Sequence, residues 1–206
     1  MTDDSRTMRE RMLAGDLYIA DDPELAEASA RALDLADAYN ATSARQGPLR
    51  RRLLEELLGS LGAGTEIRPP FRVDYGSHLT IGARCFANFG LVALDVAPIT
   101  IGDDVQIGPN VQLLTPTHPV EPGPRRDKWE AALPITIGDN VWLGGGVVVC
   151  PGVTIGANTV VGAGSVVVRD LPADVVAVGN PARVVRRLDG GLDGGLVDGA
   201  VGEARS

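Results

Sequence analysis

Two amphipathic helices are predicted ahead of a change in hydrophobic rhythm. Asp22-Pro23 reads as an N-cap followed by proline at the first helical position, and Leu25, Ala28, Ala32, Leu35 and Tyr39 then recur at helical spacing up to Asn40. A second helix begins near Pro48 and carries Leu49, Leu53, Leu54, Leu57 and Leu58 before stopping at Gly59. Arg50, Arg51, Arg52, Glu55 and Glu56 fall on its solvated side. From about Ile67 the rhythm becomes a period of six. Ile137, Leu143, Val149, Ile155, Val161 and Val167 stand six apart, and Gly138, Gly144, Gly156 and Gly162 directly follow four of them. Ile101-Gly102 and Ile107-Gly108 keep the same register. Six residues turn an α-helix by about 600°, roughly 240° beyond a full turn, so this spacing cannot keep one helical face buried. Hexads that each form one short strand and one corner instead stack their aliphatic residues inward, with glycine expected to permit the bend. The predicted fold class is therefore mainly β: a β-solenoid over residues 61–188, preceded by a helical segment over 1–60.

The repeat lapses between Leu113 and Ile137, a gap of four whole hexads, so its phase survives the interruption. Residues 114–134, with Thr115, His118, Pro119, Pro122, Pro124 and a charged run, read as an exposed excursion loop on a rigid scaffold. After Leu188 the stretch over 189–206 is glycine-rich with no usable periodicity, and is expected to be disordered.

Composition sharpens this picture. Lys and Arg number 19 against 27 Asp and Glu, a net charge of −8, which argues against nucleic-acid or anionic-membrane partners. Glycine contributes 26 of 206 residues while aromatics make up 4%, so small repetitive layers replace an aromatic core. Cys85 and Cys150 cannot build a disulfide framework, and Met1 to Glu10 lack a secretory apolar run, so a cytoplasmic location is expected. No window approaches the ~18 apolar residues of a membrane span.

The hexads, "TPTHPVEP", "ITIGDNVWLGGGVVVCPGVTIG", "GNPARVVRRL" and the start "MLAGDLY" together resemble the maltose, galactoside and nodulation-factor O-acetyltransferases of the hexapeptide-repeat family. The likeness spans about residues 8–188 and is nearest to the maltose branch. It implies a left-handed parallel β-helix, a homotrimer with active sites between subunits, acetyl-CoA as donor, no required metal, and a sugar such as maltose or glucose as acceptor.

Transfer of an acetyl group to an alcohol requires a base for the hydroxyl proton and donors for the oxyanion. Only His78 and His118 are available. His118, in "THP", matches the family's catalytic histidine; His78 is read as structural. Direct transfer is expected, because neither cysteine has a histidine partner in prospect. Asp74, Asn88 and Asp95 match acceptor-site positions, with Asn88 alternatively near the reacting carbonyl, and both aspartates alternatively capping turns as Asp103, Asp104 and Asp139 are expected to do. Glu130 matches a loop glutamate that either orients His118 or is simply solvated. Galactoside enzymes present an acceptor-contacting aspartate where this chain has Ala20, which leaves Asp21 or Asp22 as substitutes. Gly145, Ala163, Arg183 and Arg186 match coenzyme-contacting positions, and Arg187 joins the same basic cluster; a plain solvated face is the alternative. Trp142 is either core or a wall of the cleft near His118. Three other readings compete: a γ-type carbonic anhydrase, which needs three histidines on a metal where this chain has two dissimilar ones; a non-catalytic binding solenoid; and transfer to a non-sugar acceptor such as an antibiotic or biosynthetic intermediate.

Overall fold

The computed structural model describes residues 5–188. Four helices occur there: α1 (Met8–Leu13), α2 (Pro23–Asn40), α3 (Gly47–Leu57) and a short α4 (Pro122–Arg126). Helix α2 starts as its sequence dictates, with the Asp22 carboxylate accepting from the Glu24 N–H at 2.9 Å ahead of Pro23. The remainder is a parallel β-solenoid whose strands hold mostly two or three residues. Its first face stacks Ser60–Leu61, Leu79–Ile81, Ile99–Ile101, Ile135–Ile137 and Thr154–Ile155. The second runs from Glu66–Ile67 to Val175–Val178, and the third from Phe71–Val73 to Val166–Val167. The predicted hexad positions are the interior: Ile137, Leu143, Val149, Ile155, Val161 and Val167 are all buried. Each aliphatic side chain so enclosed contributes roughly 2 kcal/mol of hydrophobic stabilisation.

The glycine after each aliphatic residue has a different role from the one expected. It does not make the bend; it lets adjacent coils approach. A Cβ on Gly138 would lie 2.6 Å from the Ala157 nitrogen, and one on Gly144 2.5 Å from that of Ala163. The left-handed corner residue sits further on, at Asp104, Asn140, Asn158 and Asp174, all with φ between 54° and 61°. Asn and Asp tolerate this region best among residues bearing a Cβ. Their side chains also bridge coils, Asn140 donating to Asn158 at 3.0 Å and Asn158 to Asp174 at 2.8 Å. Asp103 and Asp139 act likewise, accepting from the backbone N–H groups of Ala83 and Asp103 one coil below, both at 2.8 Å.

Both ends of the solenoid are covered. Asn40 at the end of α2 clasps the Phe71 backbone in both directions, at 2.9 and 2.8 Å, and the buried Tyr39 hydroxyl donates to the Ile67 carbonyl. Arg50 and Arg51 are not merely solvated: Arg51 donates to the Leu61 and Gly62 carbonyls at 2.7 and 2.8 Å, and Arg50 to Thr42. At the far end, Arg183–Arg187 folds back antiparallel on Val175–Val178 and occupies the last ladder edge of face two. The stretch over 189–206 lies outside the described residues. Among those described, no helix is long and apolar enough to cross a membrane.

One corner departs from strict hexads. Three hexads carry the chain from the rung at Ile137 to the paired rung at Ile155, whereas the coil from Ile81 to its partner Ile101 is longer by a pair of residues. The extra residues sit where face three turns back to face one, and the excursion leaves from this same corner. It is not a bare loop: Pro116–Thr117 pairs antiparallel with Ala131–Ala132, and α4 lies between them.

Candidate active site

The long corner is built on a buried carboxylate. Asp95 is fully enclosed, and its oxygens accept from the backbone N–H groups of Asp74, Tyr75 and His78 at 3.0, 2.9 and 3.1 Å. Full enclosure together with three backbone N–H bonds fits the turn-capping alternative for Asp95 better than contact with an acceptor hydroxyl: it shapes the corner that presents Asp74. His78 is held by the same residue, its Nδ1 lying 2.8 Å from the Asp95 carbonyl oxygen, and its ring packs on Tyr75. Its part is structural.

Above this corner the excursion presents His118, whose side chain is 55% exposed. Glu130 Oε2 lies 3.9 Å from His118 Nε2, too long for a hydrogen bond. Glu130 is itself pinned. Its backbone forms a two-way antiparallel bridge with Tyr18, at 2.9 and 3.0 Å, which sets the Tyr18 phenol close to its carboxylate. Burial, then the negative charge of Glu130, pushes the Tyr18 phenol far above its ordinary range, so it remains a donor. This clasp is fixed by a small apolar cluster in which Met12, Tyr18 and Leu25 pack on Val96, Ala97 and Ala132. The helical N-terminal segment thus positions the excursion. Asp74 is half-buried near this cluster, and burial followed by the charges of Asp95 and Glu130 raises its carboxyl to about 6.

His118, Glu130, Arg125 and Lys128 line an open cavity of about 580 Å³ together with Ile19, Ala20 and Asp21. The choice left open between Asp21 and Asp22 is thereby narrowed. Asp22 is taken up by capping α2 and accepting from the Arg9 N–H, while Asp21 faces the cavity.

Asn88 is elsewhere. It follows the strand Phe86–Ala87, at the corner between faces two and three, and its side-chain oxygen accepts from the Phe89 N–H at 2.9 Å. Gly145 and Ala163 occupy later coils of this same edge, joined by a 2.9 Å bond from the Gly164 N–H to the Gly145 carbonyl. Arg183 pairs with Val178, whose side chain covers Gly162 beside Ala163, and Arg186 pairs with Val176. The sequence-predicted residues therefore divide into two groups on different edges: Asp74, His118 and Glu130 on one, Asn88, Gly145, Ala163 and the arginines on or beside the other. Trp142 joins neither; it projects from face two between Gln106 and Val160 and is 52% exposed, so it is not core.

Comparison with known proteins is consistent with this architecture. Residues 11–62 match the maltose acetyltransferase hexapeptide capping motif, and residues 134–169 the bacterial transferase hexapeptide (six repeats). Nodulation protein L of Rhizobium meliloti is 47% identical over 180 residues, covering 87% of this chain and 98% of the relative. A maltose O-acetyltransferase from Clostridium difficile 630 superposes with a TM-score of 0.88 at 42% identity, over 89% of this chain and 98% of that one. A galactoside acetyltransferase in complex with coenzyme A gives 0.87 at 41% identity, over 89% and 92%. The chain belongs to the hexapeptide-repeat acetyltransferases.

In this acetyltransferase the second edge carries the residues that match coenzyme-contacting positions. Gly145 is half-buried, Ala163 is exposed, and Arg183 and Arg186 are exposed without an ion pair among the described residues. Both thiols are free, and burial pushes each above its ordinary value, which disfavours a thiolate nucleophile. No cluster of three metal-ligating side chains occurs among the described residues. Sequence reasoning did not single out Tyr18, Arg125 or Lys128. Tyr18 lies within the quoted "MLAGDLY", but only the folded chain brings it to Glu130, more than half the chain away; the two cations were submerged in a charged run.

Proposed function

We propose that this protein is an acetyl-CoA-dependent O-acetyltransferase whose acceptor is a sugar hydroxyl and whose general base is His118. A neutral imidazole takes the proton as the alcohol oxygen attacks the thioester carbonyl carbon; the carbon–sulfur bond then breaks, and the departing thiolate receives the proton from the imidazolium. Glu130, held by Tyr18, supports that transient cation and fixes the ring. Asp74 and Asp21 accept hydrogen bonds from the sugar. Gly145, Ala163, Arg183 and Arg186 receive the coenzyme, with the guanidinium groups matching its phosphates. Asn88 donates toward the carbonyl oxygen where negative charge develops.

Because Asn88 and the coenzyme residues stand on a different edge from His118, the complete site is assembled between subunits of a homotrimer. The two free thiols suit a reducing cytoplasm. The observation that carries this reading is His118 beside Glu130 on the lining of an open cavity, in a chain of acetyltransferase ancestry. The test is a thiol-release screen with acetyl-CoA across mono- and disaccharides. Release with at least one sugar is expected, falling a hundredfold or more in His118→Ala, about the share that general-base catalysis supplies. Equal rates in the variant, or no release with any hydroxylic acceptor, would overturn it.

A further inference from the structure

The cavity beside His118 holds two cations that the proposed mechanism does not use. Lys128 makes no ion pair or hydrogen bond through its ammonium among the described residues, yet it lines the cavity. Its backbone has φ +70°, a conformation uncommon for any residue bearing a Cβ. The exposed turn after α4 thus holds a lysine where glycine would cost less, and aims it at the site. Arg125 lines the same wall, and one nitrogen of its guanidinium donates to the Pro119 and Val120 carbonyls at 3.0 and 2.7 Å. Those bonds orient the group and leave its other donors free for a ligand. The two carboxylates lining the cavity do not neutralise this wall by contact: Glu130 is turned to Tyr18 and His118, and Asp21 has no cation within ion-pair distance among the described residues.

Two cations without an ion pair among the described residues, in a cavity that also carries Asp21 and His118, fit a ligand with both an anionic group and hydroxyls. We infer that the acceptor is an anionic sugar, bearing a carboxylate or a phosphate that Lys128 and Arg125 bind while its hydroxyl meets His118. The identification of this ligand as the acceptor rests on the proposed function; the anion preference of the cavity does not. Of the two cations Lys128 is the cleaner probe, because Arg125 also holds the loop backbone, whereas Lys128→Gly keeps the φ +70° conformation without strain.

The test titrates the full chain with methyl glucuronide, a hexose monophosphate and neutral methyl glucoside by ligand-observed NMR, alongside thiol release with the same three compounds. At least one anion is expected to bind about tenfold more tightly than the glucoside, the scale of a charge-assisted pair. That preference is expected to vanish in Lys128→Gly and to return in Lys128→Arg, and the stronger arm tells carboxylate from phosphate. Equal affinity for all three compounds, or a preference that survives Lys128→Gly, overturns the inference. So does a Lys128→Gly variant whose only change is a raised KM for acetyl-CoA, which would assign the cation to the coenzyme. A lysine-dependent preference in binding with no thiol release from any acceptor sinks the proposed function while leaving the anion site standing.

Discussion

Asp74 shows how one side chain at this site trades stability for position. Its carboxyl, ordinarily near 3.8, titrates at about 6 in the fold because burial and two neighbouring carboxylates disfavour its charge. The sign follows from linkage: below the unfolded value both states are protonated and no penalty exists, and the penalty grows as pH rises from 3.8 to about 6 and is complete above it. Asp74→Asn should therefore raise Tm at pH 7.5 by a few degrees, with the gain shrinking towards zero near pH 4, as thermal denaturation across that range will show. The same variant should lose sugar turnover at pH 7.5, where the native carboxylate is ionised and accepts from a hydroxyl. A variant both more stable and less active is the signature of a group retained for binding. Asp95 contrasts with it: a second aspartate at the same corner, it is spent on three backbone N–H groups.

At the level of elements, the coil is set by what lies between rungs as much as by the rungs. Gly144→Ala places a methyl 2.5 Å from the Ala163 nitrogen and 2.8 Å from its Cα, backbone atoms that cannot give way singly. Overpacking of this kind should lower stability by about 3 kcal/mol or more. Gly123→Ala, in the excursion where nothing beyond its chain neighbours lies within 4 Å of the new methyl, should cost no more than about 1 kcal/mol, the remaining cost coming from its place before Pro124. Denaturant midpoints of the pair separate coil approach from general glycine flexibility; similar losses in both would refute the packing account. The hexad rhythm made the solenoid legible from sequence because each rung repeats one local rule, aliphatic inward and then glycine. The reason for the glycine was not legible, since the Ala163 nitrogen that Gly144 avoids belongs to the next coil. The site was half legible for the same cause. His118 stands inside a local motif, and Glu130 within the same excursion, but the Tyr18 clasp and the burial of Asp95 depend on chain crossings that no local pattern records.

Across the whole molecule, the separation of His118 from Asn88 is a statement about assembly. The prism is stiff, its coils joined by ladders on every face, so no loop movement within one chain brings the edge after face two to the edge after face three. A symmetric ring of copies can do so, because each interface sets one edge of a subunit against another edge of its neighbour. Inactive His118→Ala subunits retain a sound Asn88, and inactive Asn88→Ala subunits retain a sound His118. Co-expressed in equal amounts and randomly mixed, they should regain about a quarter of wild-type turnover, the chance that both halves of a shared site are intact in a closed ring. Separately purified variants mixed without exchange of subunits should stay inactive, which controls for leakage. If each site were housed within one chain, every site in the mixture would carry one lesion and no activity would return, and light scattering at monomer mass would remove the interface altogether. Recovery near the quarter level, measured as thiol release, therefore reports the geometry of the shared site and not merely that the subunits associate.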